Sequence, residues 1–255
     1  MSYNIRLSGK QYADWLNSDK VRVIVPMKPL PYAKMRLRDE LPLWACDALV
    51  LLMLKSVIGA VASSRLGVEC VVLGGDGPVR RVAEEAGVGW TPEKTQGLNE
   101  ALTVAMREAF DDGMEAALYL PGDVPFVQDI DIVNMVLGKG RLHRPVGVPS
   151  ETGGTNALLV PAKTPMTLRL GEKSYARHRE AAKQAGAPIL TKKFATLMFD
   201  IDTVEDVADV MSSWPPLESL LVDWAEWLYD GMNGPYPDSE IPIDSVFYWD
   251  EGEEP

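Results

Sequence analysis

Residues 21–37 read VRVIVPMKPLPYAKMRL, and this stretch indicates the fold class. Its first part, Val21–Val25, is short, apolar and β-branched, which predicts a strand buried on both faces, as in a parallel sheet covered by helices. The strand leads directly into a loop that contains Lys28, Lys34 and Arg36. Because ligands of open α/β sheets collect at the carboxyl ends of the strands, these cations are expected beside a ligand site.

Similar apolar runs recur along the chain, and segments with helical spacing separate them. Further strands are predicted at Cys70–Leu73, Ala117–Leu120 and Ala157–Val160. Helices are predicted at Leu43–Leu66, Pro78–Gly87, Gly97–Phe110, Ile130–Leu137, Ser174–Ala185, Val204–Val210 and Leu217–Tyr229. This alternation indicates a mostly parallel, three-layer α/β/α sandwich.

Length and composition indicate one domain with appendages. A chain of 255 residues that is 46% hydrophobic can bury one sizeable core. We expect an N-terminal extension over residues 1–20, one α/β domain over 21–210, and a Trp-rich helix with an acidic tail over 211–255. No internal repeat is visible.

The negative charge is concentrated in the tail. The net charge is −12, and residues 211–255 contain eleven acidic and no basic residues, so residues 1–210 carry about −1. A nearly neutral domain allows its basic residues to form a local positive pocket. The acidic tail would repel phosphate backbones, and nucleic acid is not expected as a partner.

The sequence gives no sign of export or membrane insertion. The N-terminal residues lack an apolar stretch after a basic region, and the longest apolar run, Ala48–Leu54, is far shorter than the roughly 18 residues of a membrane span. Cys46 and Cys70 lie in apolar segments outside any metal-binding motif, which predicts reduced core cysteines. We expect a cytoplasmic protein without zinc and without membrane association.

The basic loop after the first strand is a candidate triphosphate site. A nucleoside triphosphate carries about four negative charges, which Lys28, Lys34 and Arg36 could neutralise. Arg38 is a further basic residue of the expected positive pocket. A solvated basic loop is the alternative. No GxxxxGK[ST] motif is present, and Gly74-Gly75-Asp76-Gly77 follows the wrong strand for a dinucleotide fingerprint, which weakens both of those interpretations.

Two acidic motifs are candidates for a metal site. Asp123 follows the strand Ala117–Leu120 in a turn bracketed by prolines, and Asp200 and Asp202 precede a helix. Magnesium takes one or two carboxylates together with substrate phosphates, so the separated aspartates could converge on one Mg²⁺. Ordinary turn formation by Asp123 and helix capping by Asp202 or Thr203 are the alternatives.

Glycines beside polar side chains mark two further candidate sites. Gly97 and Asn99 begin a helix, where the glycine would allow close approach and the amide could pair with a base edge or a ribose. Thr155 follows two glycines, and Gly171 precedes a helix that starts at Ser174, which is typical of a phosphate site. Helix capping explains Asn99 and Ser174 equally well.

Six motifs together resemble the 2-phospho-L-lactate guanylyltransferase family of coenzyme F(420) biosynthesis. In chain order they are VPMKPLPYAKMRL, GLNEAL, LPGDVPF, GGTNALLV, LGEKSYARH and FDIDTVEDV. They span about Val21 to Val210. The last motif recurs in many nucleotidyltransferases, whereas the combination of AKxRL, GTNALL and the Gly-x-x-Ser-aromatic-Ala-Arg-His segment is more specific.

The resemblance implies a GT-A-like, Rossmann-like nucleotidyltransferase fold and a role for each motif. The enzyme would transfer GMP from GTP to a small phospho-acid, 2-phospho-L-lactate or phosphoenolpyruvate, and release pyrophosphate. The residues it implies are Asp123 with Asp202 or Asp200 for Mg²⁺, Lys28, Lys34 and Arg36 for the triphosphate, Gly97 and Asn99 for the nucleoside, and Thr155, Gly171 and Ser174 for the acceptor phosphate. Lys28, Lys34, Arg36 and Asp123 would form the catalytic set.

The chain departs from the family pattern in its two extensions and at Gly122, where alanine is more usual. The alternative functions are a molybdenum-cofactor or sugar-phosphate nucleotidyltransferase, and an inactive nucleotide-binding regulatory module. His178 is interpreted as a packed or capping histidine.

The tail carries an apolar stripe that must be covered. Its residues recur at helical spacing, at Trp214, Leu217, Leu220, Leu221, Trp224, Trp227 and Leu228. An isolated helix of this length is marginal in water, and exposed tryptophans invite aggregation. The stripe is expected either on the chain's own core or across a two-fold axis, and a homodimer is the favoured prediction.

Overall fold

The computed structural model describes residues 20–95, 97–137, 143–238 and 241–242. The N-terminal extension before Lys20 and the acidic end Asp250–Glu254 therefore lie outside the described residues. Seven strands form one sheet: β1 (Val21–Met27), β2 (Glu69–Gly74), β3 (Gly89–Thr91), β4 (Ala116–Tyr119), β5 (Val146–Pro149), β6 (Thr155–Pro161) and β7 (Leu190–Thr191).

The strand order is β3-β2-β1-β4-β6-β5-β7. The pairs β3–β2, β2–β1, β1–β4 and β5–β7 are parallel, whereas β6 is antiparallel to both β4 and β5. The mostly parallel sheet expected from the sequence is confirmed, with β6 as the reversed strand. The carboxyl ends of β1, β2 and β4 consequently meet at one edge.

Nine helices accompany the sheet within the described residues. They are α1 (Met35–Arg38), α2 (Leu43–Ser63), α3 (Gly77–Glu85), α4 (Leu98–Asp111), α5 (Asp129–Val136), α6 (Ser174–Gln184), α7 (Ala195–Met198), α8 (Val204–Ser213) and α9 (Leu217–Tyr229), and a 3₁₀ turn covers Leu30–Tyr32. The predicted longer helices are present, most with ends shifted by one to three residues. The strands β3, β5 and β7 were not predicted, because two or three residues carry no readable periodicity and the four residues of β5 include a glycine and a proline.

Alternating side chains of β1 belong to two separate cores. Val23 and Val25 pack with α2, α3, α5 and α9, whereas Ile24 packs with α4 on the opposite face of the sheet. Since side chains of a strand alternate between faces, a continuously apolar strand supplies both cores. The three-layer α/β/α fold class is thereby confirmed.

The helix α2 is apolar around most of its circumference. Buried residues occur on successive turns, because α2 shares the larger core with the strands and also packs against α9. Within the described residues it is also the one helix that is long and apolar enough to cross a membrane, and 78% of its apolar window is buried inside the protein. Lys55 of this helix is buried and has its Nζ atom 3.5 Å from Asp238 Oδ1 of the tail.

The tail folds back on its own chain. Leu217, Leu220, Leu221, Trp224 and Trp227 of α9 are all buried and belong to the larger core. Trp224 stacks on Tyr236 with ring centroids 5.5 Å apart, and Trp227 meets Trp224 edge-on at 5.6 Å. The apolar stripe is thus covered within one chain. The homodimer that the sequence analysis favoured stays a prediction.

Candidate active site

Three aspartates from two segments converge at the carboxyl edge of the sheet. Asp123 lies in the turn after β4, and Asp200 and Asp202 lie between α7 and α8. One carboxylate oxygen of each lies within 4.8 Å of the others. Oxygen ligands at this spacing suit a divalent cation, so both candidates for the second metal ligand are present beside Asp123.

Helix capping does not consume the Asp202 carboxylate. Thr203 caps α8 by accepting a hydrogen bond from Asp206 N over 3.2 Å, and Asp206 Oδ2 accepts from the amides of Thr203 and Asp202 at 2.7 and 2.9 Å. This capping box holds the backbone of Asp202 and leaves its side chain directed to the site. Of the two cap candidates in the sequence, Thr203 performs the capping.

Lys34 links the aspartates to the loop after β1. Its Nζ atom donates to Asp123 Oδ2 at 2.9 Å and also to Asp202 Oδ1. Burial alone would lower the pKa of Lys34, but the two carboxylates outweigh it and raise that pKa above its ordinary value. The ammonium group is therefore charged at neutral pH and partly neutralises the cluster.

The acidic cluster is electrostatically suited to a cation. Burial, and then the negative charges of Asp123 and Asp202, raise the pKa of Asp200 to about 6, against an opposing effect of Lys34. Three carboxylates with one ammonium leave surplus negative charge in a half-buried place. A divalent cation would remove that repulsion, so the donor set fits Mg²⁺.

Gly122 makes room for the side chain of Met27. A Cβ atom at position 122 would lie 2.3 Å from Met27 Sδ and 3.4 Å from Val25 Cγ1. Met27 ends β1 and Asp123 follows β4, so glycine here allows the two central strand ends to approach closely. The departure from the usual alanine is thus matched by a methionine on the neighbouring strand.

The cations of the loop after β1 differ in orientation. Lys28 and Arg36 are exposed, and Lys34 points into the aspartate cluster. Arg38 turns away from the site, since its guanidinium binds Asp47 and the carbonyl oxygens of Leu30 and Ala33. Arg38 therefore has a structural role that the sequence did not reveal, and the triphosphate role of Lys28, Lys34 and Arg36 stays a prediction.

Thr155 and Ser174 meet in a buried hydroxyl pair. Their Oγ atoms are 2.9 Å apart, and Thr155 Oγ1 is 3.0 Å from His178 Nδ1. His178 Nε2 accepts from the Arg169 amide over 2.8 Å, so the ring proton is assigned to Nδ1, which donates to Thr155. His178 is 1% exposed, which agrees with the packed histidine expected from the sequence.

Asn99 holds the segment that leads to Gly171. Its Oδ1 accepts from Leu170 N at 2.6 Å, and its Nδ2 donates to Leu170 O at 3.3 Å. Gly97, with φ of 103°, precedes α4, and Gly171 has φ of 118°, which favours glycine at both positions. The structure therefore joins the proposed nucleoside residue Asn99 to the proposed acceptor segment, with both ends of its amide in use.

A cavity of about 440 Å³ lies at the carboxyl ends of β2 and β3. Its lining residues are Pro29, Gly75, Asp76, Gly77, Arg80, Trp90, Pro92 and Glu93. The Arg80 guanidinium lies 5.0 Å from the Trp90 ring centroid. Sequence reasoning missed this cavity, although the Gly74–Gly77 loop that forms part of it was noted for its glycines.

Comparisons with known proteins identify the family of the chain. The sequence profile of the family described as "Guanylyl transferase CofC like" matches residues 21–213. The chain is 32% identical over 184 residues to a phosphoenolpyruvate guanylyltransferase of Roseiflexus castenholzii, covering 72% of this chain and 84% of that protein. It is 28% identical over 192 residues to the 2-phospho-L-lactate guanylyltransferase of Methanocaldococcus jannaschii, covering 75% and 82%.

A solved structure shows the same fold at low sequence identity. A nucleotide-diphospho-sugar transferase from Desulfovibrio desulfuricans superposes with a TM-score of 0.66 and 16% identity, covering 83% of this chain and 97% of that one. The family profile spans the aspartate cluster, Lys34 and the Thr155–Ser174 pair. The chain belongs to the CofC-like guanylyl transferase family, that of the 2-phospho-L-lactate and phosphoenolpyruvate guanylyltransferases, and is a nucleotidyltransferase.

Proposed function

We propose that the protein transfers GMP from GTP to the phosphate of a small phospho-acid, phosphoenolpyruvate or 2-phospho-L-lactate, and releases pyrophosphate. The observation that carries this proposal is the convergence of Asp123, Asp200 and Asp202 with Lys34 at the carboxyl edge of the sheet. Family membership supplies the substrate class, since the matched relatives are named for these two acids. Coenzyme F(420) biosynthesis is the proposed pathway, in the cytoplasm.

The aspartates would hold Mg²⁺ against the reacting phosphates. Bound there, the cation would supply Lewis-acid stabilisation of negative charge on the phosphoryl oxygens. Lys34 is buried beside the same carboxylates and would add a positive charge next to the triphosphate. Lys28 and Arg36 are exposed in the same loop and would contact the outer phosphates.

The reaction needs no general base from the protein. An oxygen of the acceptor phosphate attacks the α-phosphorus of GTP, a new phosphoanhydride bond forms, and the bond to the β-phosphate oxygen breaks. A phosphate monoester is already ionised at neutral pH, so no proton has to be removed from the nucleophile. Catalysis then depends on positioning and charge stabilisation by Lys34 and the residues around it.

The cavity beside Trp90 is the proposed site of the guanine base. The Trp90 ring and the two prolines offer apolar surface for stacking. Asp76 and Glu93 each accept a backbone amide with one carboxylate oxygen, and the other oxygen would accept from the N1–H or 2-amino group of guanine. Pro29 lines the cavity and Lys34 reaches the aspartates, so the loop between them would follow the triphosphate. In this proposal the cavity replaces Asn99 as the site that contacts the nucleoside, since both ends of the Asn99 amide bond to Leu170.

The acceptor phosphate is proposed to bind between Thr155, Gly171 and Ser174. The hydroxyl pair and the glycine lie on segments that Asn99 and His178 hold together. Ser174 and Thr155 would orient the phosphate for in-line attack.

Pyrophosphate release from purified protein tests the proposal. GTP, ATP, CTP and UTP are each combined with phosphoenolpyruvate, 2-phospho-L-lactate, 3-phosphoglycerate, a molybdopterin or a sugar phosphate, with and without Mg²⁺. We expect release with GTP and one of the first two acids only. Turnover with a molybdopterin or sugar phosphate instead would establish one of the alternative transferases, and nucleotide binding without turnover would establish a regulatory module.

A further inference from the structure

Arg38 fastens the loop that carries Lys34. Its Nε atom donates to Ala33 O at 2.9 Å, and its Nη2 atom donates to Leu30 O. The Ala33 carbonyl belongs to the peptide bond that leads into Lys34. Fixing this peptide therefore fixes the backbone from which the Lys34 side chain reaches the aspartates.

The backbone of Lys34 requires such a support. Lys34 has φ of 47° and ψ of 49°, in the left-handed region that is uncommon for residues other than glycine. A non-glycine residue is held there at a cost, and the conformation persists only where neighbouring contacts determine it. The side chain is also bound at its far end by Asp123 and Asp202.

Arg38 is held in turn by residues outside the loop. Its Nη2 atom donates to Asp47 Oδ1 on α2, and Tyr229 at the end of α9 donates its hydroxyl to Asp47 Oδ2 at 2.9 Å. The side chains of Arg38 and Asp47 are 8% and 15% exposed, so this ion pair is shielded from water. One carboxylate thus joins the C-terminal helix to the loop.

The helix α9 begins at Leu217, beyond the residues 21–213 that match the family profile. Tyr229 is 62% exposed, so its ring contributes little to the core and its hydroxyl makes the specific contact. We infer that α9 braces the nucleotide-facing loop, with Tyr229, Asp47 and Arg38 as positioning residues that hold Lys34 toward the aspartates. This inference rests on the proposed function for its kinetic consequence.

The brace gives the C-terminal extension a role in the reaction besides stability. When Asp47 loses Tyr229, Arg38 gains freedom, and the peptide before Lys34 is less firmly held. The acceptor segment keeps its own contacts, because the hydrogen bonds described for Thr155, Ser174 and Asn99 do not involve Arg38. Loss of the Tyr229 contact should therefore lower kcat/KM for GTP and leave acceptor binding unchanged.

The test compares Tyr229→Phe, Asp47→Ala, the double variant and the matched control Ser219→Ala. Ser219 lies on the same helix, and its hydroxyl donates to Pro216 O away from the loop. We expect Tyr229→Phe to lower kcat/KM for GTP about three- to tenfold, with little change in the KM of the acceptor acid. In the Asp47→Ala background the same substitution should have no further effect.

Hydrogen–deuterium exchange of the substrate-free protein gives a second readout. Peptides covering residues 28–40 should exchange about threefold faster or more in Tyr229→Phe and at the wild-type rate in Ser219→Ala. Unchanged loop exchange in Tyr229→Phe, an equal fall of activity in Ser219→Ala, or additive effects with Asp47→Ala would overturn the brace. If the wild type shows no guanylyl transfer, the proposed function fails. The exchange comparison alone then decides whether α9 braces the loop.

Discussion

Lys34 Nζ lies 2.9 Å from Asp123 Oδ2, so a single hydrogen bond ties the loop after β1 to the turn after β4. The two strands are parallel neighbours at the centre of the sheet, and their carboxyl ends face the same edge. Asp202 joins from a segment far along the chain through the same ammonium group. A compact centre of alternating charge results at the place where open α/β sheets bind ligands.

Asp123→Asn should reduce turnover by roughly 10²–10³-fold or more, because one carboxylate and its charge are lost beside the reacting phosphates. The protein should remain folded, since asparagine has the same size and relieves repulsion with Asp200 and Asp202. Steady-state pyrophosphate release and urea unfolding measure the two effects. Asp209→Asn, on the exposed face of α8, is the matched control. Wild-type activity in the Asp123 variant would rule out its role as a metal ligand.

Ser174→Ala should raise KM for the acceptor acid about 10- to 150-fold and change KM for GTP little, because a hydrogen bond to a charged partner is worth about 1.5–3 kcal/mol. The hydroxyl pair with Thr155 implies that Thr155→Val acts in the same direction. Initial rates measured against each substrate in turn separate the two KM values. Equal effects on both substrates would mean that Ser174 serves only the start of α6.

His178 should make the protein sensitive to mild acid. Burial, and then the charge of Arg177, lower the pKa of His178 from 6.5 to about 4. The unfolded chain therefore binds a proton on this histidine at a higher pH than the folded chain does. The free energy of unfolding keeps its full value above pH 6.5 and falls as the pH drops from 6.5 toward 4. The pKa shift corresponds to a decrease on the order of 3 kcal/mol in the free energy of unfolding.

Urea unfolding at pH 7 and pH 4.5 measures this linkage. His178→Gln should lose less stability between the two pH values than the wild type, although it is less stable at pH 7. His143→Gln changes the other histidine, which is exposed, and should keep the wild-type difference. An unchanged pH dependence in His178→Gln would contradict the assignment of a neutral, buried ring.

Trp224→Ala should destabilise the protein by about 3–5 kcal/mol, the cost of truncating a large buried aromatic side chain. Trp224 is 0% exposed and packs between Trp227 and Tyr236 under the α2 helix. Val222→Ala, at a position that is 39% exposed on the same helix, is the control and should cost far less. Thermal unfolding gives the stability loss of both variants. Light scattering of the wild type separately tests the predicted homodimer. A negligible loss in Trp224→Ala would mean that α9 does not dock on its own chain.

Much of the fold follows from local sequence patterns. The apolar run at Val21–Val25 predicted a central strand, and the structure extends it to Met27 with side chains in both cores. Long helices were predictable because apolar residues recur once per turn over many turns. The strands β3 and β7 were not, since three and two residues hold too little pattern to distinguish a strand from a loop.

The candidate site was predictable in its residue types but not in its contacts. The motifs around Asp123, Asp200 and Asp202 indicated a metal site, and these residues do converge. The Asn99 amide points to Leu170, 71 residues further along the chain. The Asp202 carboxylate meets Lys34, which lies 168 residues away, while Thr203 caps the helix. Arg36 is proposed to face a ligand, whereas Arg38 binds carbonyl oxygens. No local sequence signal distinguishes these two kinds of arginine.

The sequence by itself determined the alternation of strands and helices, the placement of acidic and basic motifs at strand ends, and the apolar stripe of the tail, because hydrophobic period and turn chemistry act over a few residues. Only the tertiary structure decided that Lys34 bridges Asp123 and Asp202, that the stripe lies on α2, and that Tyr229 reaches Arg38 through Asp47. These contacts join residues from 9 to 182 positions apart. They depend on how whole elements pack, since non-local packing selects among the many pairings that the same local pattern allows.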